Sequence, residues 1–342
     1  MSLDARQTKP AVNVAVESVL GNKEKTIFQR LLSAQSFWVT IALGVMVVVM
    51  SILQPEAFSS WDNFYNITRN FAFVGIIALG MTVVIITGGI DLSVGSIIGF
   101  VGVATGVMLQ AEYSWWLSSL VGLAAGLLVG LVNGYLVAYL NLSAFVVTLG
   151  TLSIARSLAI VLSGNKMLYE FGPDADIFNW IGGGDILAIA NPVWVLLVST
   201  LVFAIILTQT AWGRYLYAIG GNEQAAQATG VPVQRIKLQA YLLCAFMTAI
   251  AAVMLTGYNG SAINANGTGY ELRVIASTVI GGANLMGGSG GAYGAFIGAA
   301  LIEVIRNSLI MAGVDSNWQG TFVGSFIILA VLLEQVRGRR RD

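Results

Sequence analysis

Four ionisable side chains stand inside long apolar stretches of the chain: Asp91, Arg156, Glu303 and Arg306. A charge at bilayer depth costs about 3 kcal/mol on insertion scales, so such residues mark either function or tight pairing. Two are acids and two are bases, and together they are neutral. Glu303 and Arg306 lie three apart, on one face of any helix that carries them, and can compensate each other there. Asp91 follows Gly88-Gly89, a natural helix break, after which Asp91 or Ser93 can accept hydrogen bonds from the free N–H groups opening the next helix. Gly281-Gly282-Ala283-Asn284-Leu285 repeats the pattern of Gly88-Gly89-Ile90-Asp91-Leu92 with Asn284 at the aspartate's place, so two cap-like breaks are expected. Covalent chemistry has little to work with. The chain has no histidine and a single cysteine, Cys244 in an apolar run, which argues against disulfide frameworks, zinc clusters and thiol or imidazole catalysis. No nucleophile and base pair is apparent either.

The elements that hold these residues are membrane spans. Only 10% of the 342 residues are charged while 56% are hydrophobic, a balance that a water-soluble domain does not keep. A span needs about 20 mostly apolar residues. Candidates run near 37–53, 70–86, 93–110, 115–139, 143–162, 193–209, 238–257, 273–287, 291–311 and 319–335. The expected fold is therefore all-α, a polytopic membrane protein of about ten transmembrane helices with one short cytoplasmic helix. It divides into an N-terminal tail (1–36), a transmembrane domain (37–336) interrupted by a polar loop (210–237), and a basic C-terminal tail (337–342). Forty glycines suit close helix contacts, and Gly122, Gly126, Gly130 and Gly134 recur every four residues as one packing face.

An even number of spans puts both termini on one side. That side holds twelve Lys and Arg residues in the two tails and the 210–237 loop, against Arg69, Lys166 and Arg273 in the opposite loops. The positive-inside rule then places both termini and the 210–237 loop in the cytoplasm. The N-terminal tail is polar and shows no cleaved signal peptide. The net charge of zero gives no reason to expect a nucleic-acid partner. The outward loop near 163–192 carries Glu170, Asp174, Asp176 and Asp185 against Lys166, as a solvated acidic loop or a docking surface would.

Within the polar loop, Asn222 can cap a short helix with Glu223 in its first turn, Gly230 can end it and Pro232 prevents continuation. Such a helix is either an anchor at the membrane interface or a lever for another protein, with the small residues Ala225, Ala226 and Ala228 admitting a partner cleft.

The run from Gly213 to Pro232, with Asn222-Glu223-Gln224-Ala225-Ala226 and Gly230, resembles the coupling loop of permease subunits of ATP-binding-cassette importers of the ribose, xylose and galactoside type. The stretch from Ala78 to Ser96, containing Thr87-Gly88-Gly89-Ile90-Asp91-Leu92-Ser93, and the stretch from Val279 to Gly291, containing Gly281-Gly282-Ala283-Asn284, are similar to the same family. The resemblance implies a multi-pass bacterial inner-membrane permease that does no covalent chemistry and binds no cofactor. It implies a cytoplasmic ATPase subunit, a periplasmic sugar-binding protein, a second permease copy or a paralogue, and the surrounding lipid as partners. Gly220, Gly221, Asn222, Glu223, Ala225, Ala226, Gly230 and Arg235 would meet the ATPase. No G-x-x-x-x-G-K-[ST] occurs, so ATP is expected to be hydrolysed by a separate subunit.

For a monosaccharide or similar small polyol, the candidate pathway residues are Thr87, Asp91, Ser93, Asn284, Glu303 and Arg306, since transporters build sites from interrupted helices. Ser96, Asn133 and Thr148 are further candidates, although membrane Ser and Thr more often bond their own helix backbone. Glu303, Arg306, Asn307 and Arg156 could also form a polar network near a gate. Two rivals remain at this point. One is a sibling importer for branched-chain amino acids or nucleosides, and the other is an ion-coupled secondary transporter.

Overall fold

A computed structural model describes residues 34–315 and scattered positions between 318 and 328. Both tails in their polar parts, and most of the expected span 319–335, lie outside the described residues. Helices occupy the other nine expected stretches: α1 (Gln35–Leu53), α2 (Trp61–Ile86), α3 (Val94–Gln110), α4 (Trp115–Ala138), α5 (Ala144–Ser163), α7 (Asn191–Gln209), α10 (Val233–Asn259), α11 (Tyr270–Ile280) and α12 (Ala292–Met311). Between them come α6 (Ala175–Gly183), α8 (Ala211–Gly221) and α9 (Glu223–Ala228), and a small antiparallel hairpin, β1 (Asp185–Ile186) with β2 (Ile189–Ala190). Seven of the described helices are long and apolar enough to cross a bilayer, so the chain is a mostly helical, multi-pass membrane protein.

Of the two remaining stretches, α3 matches its expected span to within one residue and α11 stops short of it. α3 has 17 residues because the chain before it, from Thr87 to Ser93, is irregular. α11 has 11 residues and ends at Ile280, so the expected span 273–287 is a helix only in its first part. Gly282, Gly287, Gly288 and Gly290 all take positive φ, which breaks the apolar run into a loop. α2 is longer than expected, because Ser60 accepts a hydrogen bond from the Asn63 N–H at 3.2 Å and starts the helix at Trp61.

α2 is the centre of the bundle, with 89% of its most apolar window buried, and α10 follows with 67%. α4 packs along α10 and α3 through the glycine face, where all four glycines are buried. A Cβ on Gly126 would stand 2.8 Å from Ala249 Cβ, and one on Gly130 only 2.4 Å from Ala245 Cβ. The periodic glycines thus serve helix packing. α1, only 11% buried in its window, lies at the rim against α12. Its Gln35 amide donates to the Val279 and Ile280 carbonyls at 3.1 Å each, satisfying the open C-terminal end of α11.

Candidate coupling surface and transport pathway

α8 and α9 form the compact excursion between α7 and α10. Thr210 Oγ1 accepts from Gly213 N and starts α8; Asn222 Oδ1 accepts from Ala225 N at 2.9 Å and starts α9. Gly230, at φ 87°, ends the turn before Pro232. Glu223 at the head of α9 pairs with Lys237 in the first turns of α10 at 2.5 Å. On α9 the residues Glu223, Gln224, Ala225, Gln227 and Ala228 are exposed. Ala226 is not: it is 4% exposed and packs inward, so it does not belong to the surface that the sequence reading offered to a partner. One residue per turn of a helix lying on the protein must face its body, and in α9 that residue is Ala226. Arg235, in the first turn of α10, is exposed as well.

This excursion touches the two glycine breaks directly. Gly288 N donates to the Ile86 carbonyl at 2.9 Å, joining the end of α2 to the loop after α11. Gly220 lies against both of these groups: a Cβ there would be 1.8 Å from Ile86 O and 2.3 Å from Gly288 N. Tyr217 Oη donates to the Gly290 carbonyl at 2.9 Å. Burial raises the pKa of this phenol, so it stays protonated and able to donate. Three segments far apart in sequence therefore meet at this point: the end of α2, the loop after α11, and α8 through the Gly220 main chain and the Tyr217 side chain.

Beyond the break, Asp91 Oδ1 accepts from Ser93 N at 2.9 Å and from Ser93 Oγ at 2.5 Å. Asn133 Nδ2 donates to Ser93 Oγ at 2.9 Å, and Thr151 Oγ1 donates to Asn133 Oδ1 at 2.7 Å. This chain of polar groups ties α3 to α4 and α5, and Asp91, Ser93 and Asn133 have no exposed surface. Asp91 Oδ2 is buried without a hydrogen-bond partner. Neither residue caps α3 as expected: Asp91 accepts from the N–H of Ser93, which precedes the helix, and Ser93 uses its hydroxyl between Asp91 and Asn133. Asn284 repeats the device, Oδ1 accepting from Met286 N at 2.7 Å, so the parallel between the two breaks is real at the level of the turn. Thr87 and Ser96 bond the carbonyls of Val84 and Ser93, and Thr148 that of Ala144, the local bonding common for membrane hydroxyls. A cavity of about 240 Å³ lies beside the break, lined by Thr87, Gly88, Gly89, Asn141, Lys237 and Tyr241 among others.

The charges expected to form one network are divided. Glu303 and Arg306 pair at 3.2 Å, the acid 5% and the base 30% exposed in their side chains. Asn307 lies with Asn63 of α2 in a reciprocal amide pair, at 2.7 and 3.2 Å. Arg156 is bound elsewhere, to the carbonyls of Asn264, Asn266 and Gly95, with Glu271 as its electrostatic neighbour. Glu271, Asn264 and Asn266 escaped the sequence reading because they fall between spans. The polar run Asn264–Thr268 with Gly267 and Gly269 was the available signal.

The sequence matches the family described as branched-chain amino acid transport system, permease component, over residues 63–332. The chain belongs to this permease family. It is similar to the ribose import permease proteins of Haemophilus influenzae, 37% identical over 88% of this chain and 93% of that one, and of Escherichia coli K12, 37% identical over 86% and 92%. It is also similar to the L-arabinose ABC transporter permease protein of Azospirillum brasilense, 33% identical over 87% of this chain and 86% of that one. The resemblance read from the motifs is borne out, and the permease is a transporter subunit rather than an enzyme.

Proposed function

We propose that this permease is the membrane-spanning subunit of an ATP-driven importer for a monosaccharide or a similar small polyol. The observation that carries the reading is its likeness, at 37% identity over nearly the whole of both chains, to ribose import permeases. The arrangement at α8 and α9 supports it, because a solvent-exposed helix resting on the end of the central span suits a lever driven from outside the bundle. A separate ATPase subunit closes on Asn222–Gly230 with Gly220, Gly221 and Arg235 alongside, and a soluble sugar-binding protein delivers cargo at the opposite face. A second copy or a paralogue completes the pathway, and lipid surrounds the pair. Both termini, with the tails 1–36 and 337–342, lie on the cytoplasmic side, where the Lys and Arg residues concentrate. Thr87, Asp91, Ser93 and Asn284 shape the two breaks that move, and Glu303 and Arg306 brace α12 from within.

The family description names branched-chain amino acids, which makes leucine the competing cargo. Uptake into vesicles that contain the complete complex tests both. ATP-dependent accumulation of labelled D-ribose, L-arabinose or D-galactose, uncompeted by leucine, is expected. Uptake that persists without ATP and collapses with an ionophore would refute the reading in favour of an ion-coupled carrier.

A further inference from the structure

α11 is half a membrane helix. Its 11 residues span about 16 Å, against a hydrocarbon core of about 30 Å. Its C-terminal end is anchored at the level of α8, because the loop that follows it bonds Ile86 through Gly288 and Tyr217 through Gly290. Its N-terminal end therefore stands near the middle of the bilayer. The preceding segment comes from the far side, where Ala262 pairs with Leu168, just beyond the end of α5. Residues 262–269 thus descend as irregular chain from the outer face to the bilayer midplane. Arg156 lies about 18 Å along α5 from Ala144, which places it at the same depth, and it fixes this descent by binding the Asn264 and Asn266 carbonyls.

One side of the descending segment is open among the described residues. Ala265 and Thr268 are exposed and Asn266 and Gly269 are half-buried, and in the first turn of α11 Leu272 is exposed and Glu271 half-buried. Lipid cannot cover such a surface, because irregular backbone at bilayer depth is tolerated only inside protein or against water. The faces of the bundle that suit lipid look different: α4 presents Leu120, Leu128 and Leu131, and α7 presents Val198, Leu201 and Ile205. Arg156 is engaged by main-chain carbonyls with Glu271 opposing its charge, so the open side offers amide, hydroxyl and backbone groups with little net charge. Those groups suit hydrogen-bonding hydroxyls on a neutral solute.

We infer that the segment Asn264–Leu272 lines the aqueous pathway at mid-membrane and is where a neutral polyhydroxylated solute contacts the permease. The solute class rests on the importer reading above; the aqueous surface does not. Cys244 is the only cysteine, so a Cys244→Ala background allows single-cysteine labelling. In the complete complex in vesicles, Thr268→Cys and Ala265→Cys are expected to react with a charged, membrane-impermeant methanethiosulfonate at least tenfold faster than Leu128→Cys. Labelling should cut ATP-driven uptake at least tenfold, and D-ribose or L-arabinose should slow it. Reaction of both variants as slow as that of Leu128→Cys would overturn the pathway. So would ready disulfide formation between two copies without reagent access, which marks a dry contact between copies. Fast labelling that leucine slows and sugars do not would keep the aqueous surface and overturn the solute class.

Discussion

The α-carbon of Gly220 faces the carbonyl of Ile86 so closely that a single methyl group would stand 1.8 Å from its oxygen. Both contact atoms on the α2 side and the Gly288 side are main chain, so no rotamer change can relieve the overlap. Overpacking of this kind costs about 1–3 kcal/mol where it is tolerated. Gly220→Ala is expected to lower ATP-driven uptake at least tenfold while the ATPase subunit still co-purifies, because the end of α2 is pushed from its seat. Gly44→Ala, at a position with nothing within 4 Å, should leave uptake unchanged. Normal uptake by Gly220→Ala would show that α8 does not transmit movement through this contact.

The α4–α10 seam predicts a size exchange. Gly130→Ala brings a methyl to 2.4 Å from Ala245 Cβ and should destabilise the detergent-solubilised permease by about 1–3 kcal/mol. Ala245→Gly removes that neighbour. The double substitution should recover at least half of the lost thermal stability, and an additive loss in a double-mutant cycle would mean that the two residues are not in direct contact.

Local signals were the legible ones. The Asn222 cap, the Gly230 stop and the four-residue spacing of Gly122 to Gly134 each depend on neighbours along one helix, and each is present in the fold. The Asx turns at Asp91 and Asn284 were equally local. Gly220 was not readable in its closeness to Ile86, because a glycine required by a distant backbone looks the same as one required by a turn. Arg156 misled for a related reason: its partners are carbonyls, which every residue carries, so side-chain complementarity pointed to Glu303 instead. The half-length of α11 was hidden because hydropathy runs on smoothly through Val279 and Ile280 into the glycine loop. That Ala226 and not Ala225 or Ala228 is the residue turned inward depends on how α9 sits on the body of the protein, which the sequence of a six-residue helix does not set.

Asp91 separates a structural carboxylate from a functional charge. Its Oδ1 holds the Ser93 N–H and hydroxyl, and an asparagine can present the same acceptor. Asp91→Asn should therefore retain thermal stability within about 1 kcal/mol, while Asp91→Leu leaves the buried N–H unsatisfied and should lose about 1–3 kcal/mol. Uptake is the second readout. If Asp91→Asn is as stable as the parent but transports at least tenfold more slowly, the charge itself serves the pathway; parent-like uptake assigns Asp91 to the turn alone.

Glu223 and Lys237 give the opposite contrast, a short ion pair on an exposed surface. At 2.5 Å, with the acid 46% and the base 17% exposed, the pair is screened by water and is worth about 0.2–1 kcal/mol. Glu223→Gln should thus shift the thermal midpoint little. Its position matters more than its strength, because Glu223 opens α9 and the pair ties that helix to the first turns of α10. Loosening the tie should let α9 move without carrying α10, so ATP hydrolysis by the assembled complex would continue while uptake per ATP falls severalfold. A parallel loss of both activities would instead point to failed docking of the ATPase, and an unchanged ratio would show that the tie plays no part in transmission.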